Sequence, residues 1–182
     1  MAPFHITRGR SRFTYLSQHP EEARAFDTMM ATFPDNRHEA IAGHYDFCRA
    51  RMIADIGGGN GATLRKILAR FPNVRGILFD REDVIAALAA GDLMQGRIAS
   101  EGGSFFEAVP VGADVYMLIR VLHDWKDEDC LRILRSCRTA MGPEGILLLG
   151  EDIRPGRPAV WLVDPVRAAD ELLSDATRVI LL

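Results

Sequence analysis

The residues of this chain that could do chemistry recur at the ends of its apolar runs. Gly57-Gly58-Gly59-Asn60-Gly61 follows the run over 52–56, and Asp80 follows the run over 76–79. Ser104-Phe105 comes after a weaker run near 97–100, the stretch Arg120 to Trp125 closes the run over 115–122, and Glu151 follows 146–149. Short apolar runs bounded by turn residues read as strands buried on both faces. In an open α/β sheet, ligands bind in the crevice beyond the carboxyl ends of such strands. Five distinctive positions on one edge therefore predict a site there.

The glycine cluster is the sharpest of these signals. Glycine tolerates positive φ and lets a ligand approach the backbone closely. A helix that starts just beyond it presents unpaired N–H groups and a positive partial charge, suited to a carboxylate or a phosphate. Gly57, Gly59 and Ala62 also satisfy the G-x-G-x-x-G/A spacing of dinucleotide sites. Asp80 does not separate the two ligand classes, because an acidic residue after the second strand can hold the ribose hydroxyls of either.

The elements that must position these residues alternate regularly. The span 62–71 carries Leu64, Ile67, Leu68 and Phe71 at helical spacing and stops at Pro72. A second helix is expected over 82–90 with Val84, Ile85 and Leu88 inward, and a third over 127–141 with Leu131, Leu134, Cys137 and Met141, ended by Gly142-Pro143. Asp127, Glu128 and Asp129 place favourable charge at the start of that helix, and Asp124 reads as its N-cap. Strand–helix alternation of this kind predicts a doubly wound, mostly parallel sheet. Before Arg51 the pattern is helical, over 19–33 with Ala23, Phe26, Met30 and Phe33 on one face, and again over 36–47. After Pro155 a helix over 164–176 and a strand over 177–182 are expected, joined irregularly because of Pro155, Pro158 and Pro165.

Bulk properties narrow the function classes. The chain has 182 residues, enough for one core of ordinary size, and a formal net charge of -3 with both signs interspersed. Such a balance carries no electrostatic footprint for nucleic acid or an anionic membrane. No apolar run reaches the roughly 20 residues that span a bilayer, and the N-terminus lacks the apolar stretch of a secretory signal. Cys48, Cys130 and Cys137 show no CxxC spacing; the latter two fall on the apolar face of a predicted helix, as reduced buried thiols in a cytoplasmic protein would. His5, His19, His38 and His44 have no metal-ligand spacing, so no metal is expected.

The run Asp55-Ile56-Gly57-Gly58-Gly59-Asn60-Gly61 resembles the first signature of S-adenosylmethionine-dependent methyltransferases. Taken with Leu78-Phe79-Asp80, Gly103-Ser104-Phe105-Phe106, Leu122-His123-Asp124-Trp125 and Leu149-Gly150-Glu151, its order and spacing resemble the small-molecule O-methyltransferases, the family of caffeate and hydroxyindole O-methyltransferases. The likeness covers roughly 11–155. It implies a class I, Rossmann-like methyltransferase fold, S-adenosyl-L-methionine as cofactor, and a small, hydroxylated, aromatic acceptor. By position it implies that Asp55, Gly57 and Gly59 form the cofactor loop, Asp80 binds ribose, Ser104 and Phe105 contact adenine, and Arg120 stands where a lysine is usual. His123 would be the general base and Glu151 the group that orients it, with Phe26, Met30 and Trp125 lining the acceptor pocket. By residue type alone, Phe26 and Met30 read equally well as core.

The residue types suit that chemistry. A phenol with a pKa near 10 is protonated at neutral pH, and a histidine with a pKa near 6.5 is a fitting base. A carboxylate on its other ring nitrogen fixes the tautomer.

The chain also departs from the family. Ser104 replaces an aspartate, Arg81-Glu82 replaces Leu-Pro, and the sequence after Pro155 does not resemble the family's last segment. The resemblance thus implies a chain shortened at both ends: a helical remnant of a dimerisation region over 1–50, a cofactor domain over 51–154 and an atypical tail over 155–182. A homodimer is the family's usual state, weakened here by the missing N-terminal region. Two alternatives remain at this stage, a non-catalytic cofactor-binding module and an NAD-dependent oxidoreductase.

Overall fold

The computed structural model describes residues 15–16, 18–19, 21–22, 25, 41–43, 45–150 and 178–181. Within them β1 (Met52–Ile56), β2 (Arg75–Asp80), β3 (Ile98–Gly102), β4 (Val115–Ile119), β5 (Ile146–Gly150) and β6 (Arg178–Leu181) form one sheet, in the order β3-β2-β1-β4-β5-β6. Every described pairing is parallel. The expected strand in the tail is therefore present and lies beside β5, with Ile146 opposite Arg178 and Leu149 opposite Leu181. The strand order reverses between β1 and β4, which makes the crevice above these two strands the place where a ligand belongs.

Helices cover both faces, as parallel strands require. On one face Ile53, Val115, Met117, Leu148 and Leu78 pack with Leu64, Ile67 and Leu68 of α1 (Ala62–Arg70). On the other face Ala54, Ile56, Tyr116, Leu118, Leu147 and Leu149 pack with Ile133, Leu134 and Cys137 of α3 (Asp127–Ala140). The alternation Ile53/Ala54 and Met117/Leu118 is the period of two that sends successive side chains to opposite layers. Cys130 and Cys137 are buried thiols outside any disulfide, as expected, and burial pushes the Cys137 thiol up to about 12.

Several boundaries differ from the sequence reading, each for a local reason. The helix expected over 82–90 is only α2 (Glu82–Ala86); it buries no residue, so little packing extends it. The run over 115–122 stops being a strand at Ile119, because Arg120 takes φ 59 in the left-handed region and turns the chain away. Asp124 is not the N-cap of α3: Lys126 holds that position, without a side-chain cap, and Asp124 ends a 3-10 turn, Leu122–Asp124. Of the two predicted N-terminal helices, residues 21, 22, 25 and 41–43 are described and helical, whereas His19, Tyr45 and Asp46 are not, and Phe47 begins a 3-10 turn, Phe47–Arg49, capped by the Asp46 carboxylate. The helix expected over 164–176, and the positions Phe26, Met30 and Glu151, lie outside the described residues.

One side chain ties the layer under α1 to the sheet. Arg97 Nη2 lies 2.9 Å from the Leu68 carbonyl, 3.1 Å from that of Phe71 and 2.9 Å from that of Val74. The Leu68 carbonyl is one that a helix C-terminus leaves unsatisfied, while the Phe71 carbonyl also accepts from Val74 N at 3.1 Å within the following turn. Charge-assisted hydrogen bonds of this kind contribute about 1.5–3 kcal/mol. Arg97→Ala is thus expected to lower the unfolding free energy by about 2 kcal/mol in urea titrations, with Arg97→Lys recovering part of it.

Candidate active site

The turn after β1 is built by backbone hydrogen bonds that only a glycine-rich sequence allows. Gly57 N and Gly58 N both point at the Phe79 carbonyl of β2, at 2.8 and 3.3 Å, and Gly61 N closes onto the Gly58 carbonyl at 2.9 Å. Gly57, Gly59 and Gly61 have φ of 71, 59 and 75 degrees, where a side chain is strained. Gly58 is required for a different reason: a Cβ there would stand 2.5 Å from Leu78 Cδ1 and 2.6 Å from the Asp55 carboxyl carbon. A Cβ on Gly59, by contrast, would meet nothing within 4 Å, so the tip of the turn faces open space. The turn ends in the N-terminus of α1, where Asn60 Oδ1 accepts from Ala62 N and Arg65 Nη1 donates to the Asn60 carbonyl.

Two carboxylates flank this turn. Asp80, at the end of β2, accepts from Gly59 N through Oδ2 at 2.8 Å and from Arg81 N through Oδ1 at 2.7 Å. Each oxygen keeps a second lone pair with which to accept from ligand hydroxyls. Burial raises the Asp80 carboxyl above the usual range, opposed by those two backbone donors. Asp55, on β1, is only 1 % exposed, and its Oδ2 has no hydrogen-bond partner. Burial first, and the Asp80 charge second, push the Asp55 carboxyl up to about 7. The site thus offers a buried acid, a half-satisfied acid and a positive helix end within one turn. That set fits a ligand carrying hydroxyls, an ammonium and a carboxylate.

The rest of the rim comes from the chain after β3 and β4. Ser104 stands at the start of a turn in which its carbonyl accepts from Glu107 N at 2.9 Å and Ala108 N at 3.1 Å, swinging Phe105 and Phe106 onto the rim. Phe105 reaches the glycine turn, 3.7 Å from where a Gly57 Cβ would be, and Val121 Cγ2 stands 2.9 Å from the same point. Phe105, Phe106 and Trp125 form an edge-to-face trio with ring centroids 4.7–5.6 Å apart. Arg120 N donates to the Gly150 carbonyl at 2.7 Å, which holds the end of β4 against β5 while its left-handed backbone starts the turn. That turn carries His123, whose side chain is 42 % exposed, with Nε2 3.6 Å from Asp124 Oδ2.

Of the positions singled out from sequence, the structure gathers Asp55, Gly57, Gly59, Asp80, Ser104, Phe105, Arg120, His123 and Trp125 on the carboxyl edge of the sheet, around the strand-order reversal. Phe26, Met30 and Glu151 are not described. Gly58 and Phe106 belong to the runs quoted from the sequence and Val121 to the stretch after the fourth strand, but the steric demand at Gly58 and the packing of Val121 and Phe106 come from contacts between separate segments that the sequence does not show. A cleft of about 340 Å³ lies elsewhere, between α3 and the loop after Phe106, and no residue of the glycine turn lines it.

Comparison with known proteins bears on this arrangement. A family profile described as an O-methyltransferase domain matches residues 1–165. The phenazine O-methyltransferase PhzM of Lysobacter antibioticus is 41 % identical over 154 residues, covering 81 % of this chain and 44 % of that protein. Among solved structures, LaPhzM superposes with a TM-score of 0.76 at 36 % identity, covering 98 % of this chain and 55 % of that one. The neocarzinostatin O-methyltransferase NcsB1, crystallised with S-adenosyl-L-homocysteine and 1,4-dihydroxy-2-naphthoic acid, gives a TM-score of 0.73 at 32 % identity, covering 81 % and 46 %. The chain spans about half the length of the relatives it matches.

Proposed function

Because the chain belongs to the O-methyltransferase domain family, we propose that it binds S-adenosyl-L-methionine and transfers a methyl group to a hydroxyl of a small aromatic acceptor, with His123 as general base. The observation that carries the reading is the close approach of Phe105 and Val121 to Gly57, which leaves no room for a Cβ there and sets the glycine turn beside the chain leading into His123. The described residues fit such a cofactor: Asp55 has a buried oxygen in want of a partner, Asp80 has capacity for ribose hydroxyls, and the Gly59 tip is open. When bound, the cofactor supplies an activated methyl group on a sulfonium.

The chain's own residues do the rest. The glycine turn and the N-terminus of α1 take the carboxylate end, and Phe105, with Ser104 before it, offers an edge for the adenine ring. Arg120 closes β4 against β5 and so sets where the following turn begins. His123 accepts the acceptor's hydroxyl proton, a step typically worth about 10²–10⁴-fold, and Glu151, next in sequence after β5, would orient the ring. Trp125, and with it Phe26 and Met30, would line the acceptor side. The reading extends to a cytoplasmic homodimer, in which 1–50 forms the helical contact segment, 51–154 the cofactor domain and 155–182 a separate tail. It is supported by the family resemblance, and sedimentation of the chain checks it.

Calorimetric titration tests the core claim. S-adenosylhomocysteine should bind with micromolar affinity and NAD should not; preference for NAD would replace this reading with the oxidoreductase. Binding without methylation of any hydroxylated aromatic, 1,4-dihydroxy-2-naphthoic acid included, would favour the non-catalytic module.

A further inference from the structure

The mechanism above leaves one group unexplained, the buried carboxyl of Asp55. Its position follows from the strand. Ile53 and Asp55 share the face that packs under α1, so Asp55 is enclosed by the same layer that buries Ile53 completely. Gly58 passes directly over it, with space for a Cβ only 2.7 Å from Asp55 Oδ2. An ionised carboxylate that is buried and has an oxygen without a partner is costly, and such a group holds a proton instead.

Among the described residues, no cation is placed against Asp55 to prevent this. β2 contributes Asp80, followed by Arg81, whose guanidinium binds Asp83 at 2.8 and 2.9 Å. β4 places Met117 opposite Asp55 and Arg120 beyond its own end. α1 contributes Arg65, which donates to the Asn60 carbonyl, and Lys66 on its solvent side. Of all these, Asp80 is the group that moves the Asp55 carboxyl, and it moves it upward.

We infer that the buried Asp55 carboxyl, beside the Asp80 charge, carries a proton in the free protein and expels it to solvent when a cofactor ammonium group binds at the glycine turn, so that cofactor affinity is tied to pH. The inference rests on the cofactor reading above and deepens it. The balance is simple: a neutral acid and a ligand ammonium become a carboxylate beside that ammonium, and the proton passes to the buffer. The sign follows from linkage. Binding favours the ionised carboxylate, so affinity is full above about pH 7.5 and falls by up to about tenfold per pH unit below that group's transition. The buried acid would then select ligands bearing a cationic tail over the bare nucleoside.

Calorimetry of the full chain in buffers of different ionisation enthalpy reads the proton directly. S-adenosylhomocysteine at about pH 6.5 should release several tenths of a proton, dwindling to none by about pH 8.5. 5′-Methylthioadenosine, which keeps the nucleoside and lacks the amino-acid tail, should release none at either pH. Asp55→Asn should bind S-adenosylhomocysteine with little pH dependence and no proton release. Where that variant fails to fold, the comparison of the two ligands on the unaltered chain decides. Binding of S-adenosylhomocysteine without proton release, or equal release by both ligands, overturns the inference alone. Failure of both nucleosides to bind overturns the cofactor reading and the inference with it.

Discussion

His123→Ala is expected to lower methyl transfer by about 10²–10⁴-fold while changing S-adenosylhomocysteine affinity less than about threefold. The expectation follows from where the histidine sits. It lies in a 3-10 turn beyond β4, half exposed and beside Asp124, while the groups assigned to the cofactor stand on β1, β2 and the turn after β3. Removing an imidazole there deletes a proton acceptor and leaves the glycine turn intact. Transfer from labelled cofactor to 1,4-dihydroxy-2-naphthoic acid, with parallel calorimetry, separates the two effects. Retained turnover with lost binding would reverse the assignment.

Gly58→Ala is the second large effect, and it acts on the cofactor side. The added methyl would lie 2.5 Å from Leu78 Cδ1 and 2.7 Å from Asp55 Oδ2, well inside contact distance. Both neighbours are buried, Leu78 fully, so neither can swing away without opening the layer under α1. Overpacking of this kind costs about 1–3 kcal/mol of stability. The larger consequence is displacement of the turn that presents Gly59 N to Asp80, and S-adenosylhomocysteine affinity should fall at least about 30-fold, some 2 kcal/mol. Gly59→Ala is the matched control: its Cβ would meet nothing, and the strain is confined to a positive φ. Its loss of affinity should be smaller, and equal losses would show that backbone strain, and not the Asp55 contact, governs the turn.

Much of this molecule was legible before any coordinates. The strand over 52–56 and the helix from Ala62 match the sequence reading because their apolar spacing, the glycines before the helix and Pro72 after it act locally. The doubly wound sheet followed from alternation, and the ligand edge followed from where the distinctive residues fell. Errors arose where a local pattern competed with a backbone or tertiary demand. Arg120 interrupts an apolar run that otherwise continues to Leu122, and its left-handed φ is imposed by the turn that must carry His123. Asp124 has the residue type and position of a cap, yet it is drawn beside His123 and the helix starts after Lys126.

What the sequence determined by itself was the set of elements, the sheet edge on which the distinctive residues gather and the chemical types placed on that edge, since these depend on periodicity and on residues adjacent in the chain. Only tertiary structure decided that Asp55 is buried with an oxygen unpartnered, that Gly58 is the most tightly closed of the turn's glycines while Gly59 is open, and that Phe105, Val121 and Trp125 converge. Those properties come from separate strands and loops brought within a few ångströms, and desolvation and steric exclusion arise only when distant segments share one space.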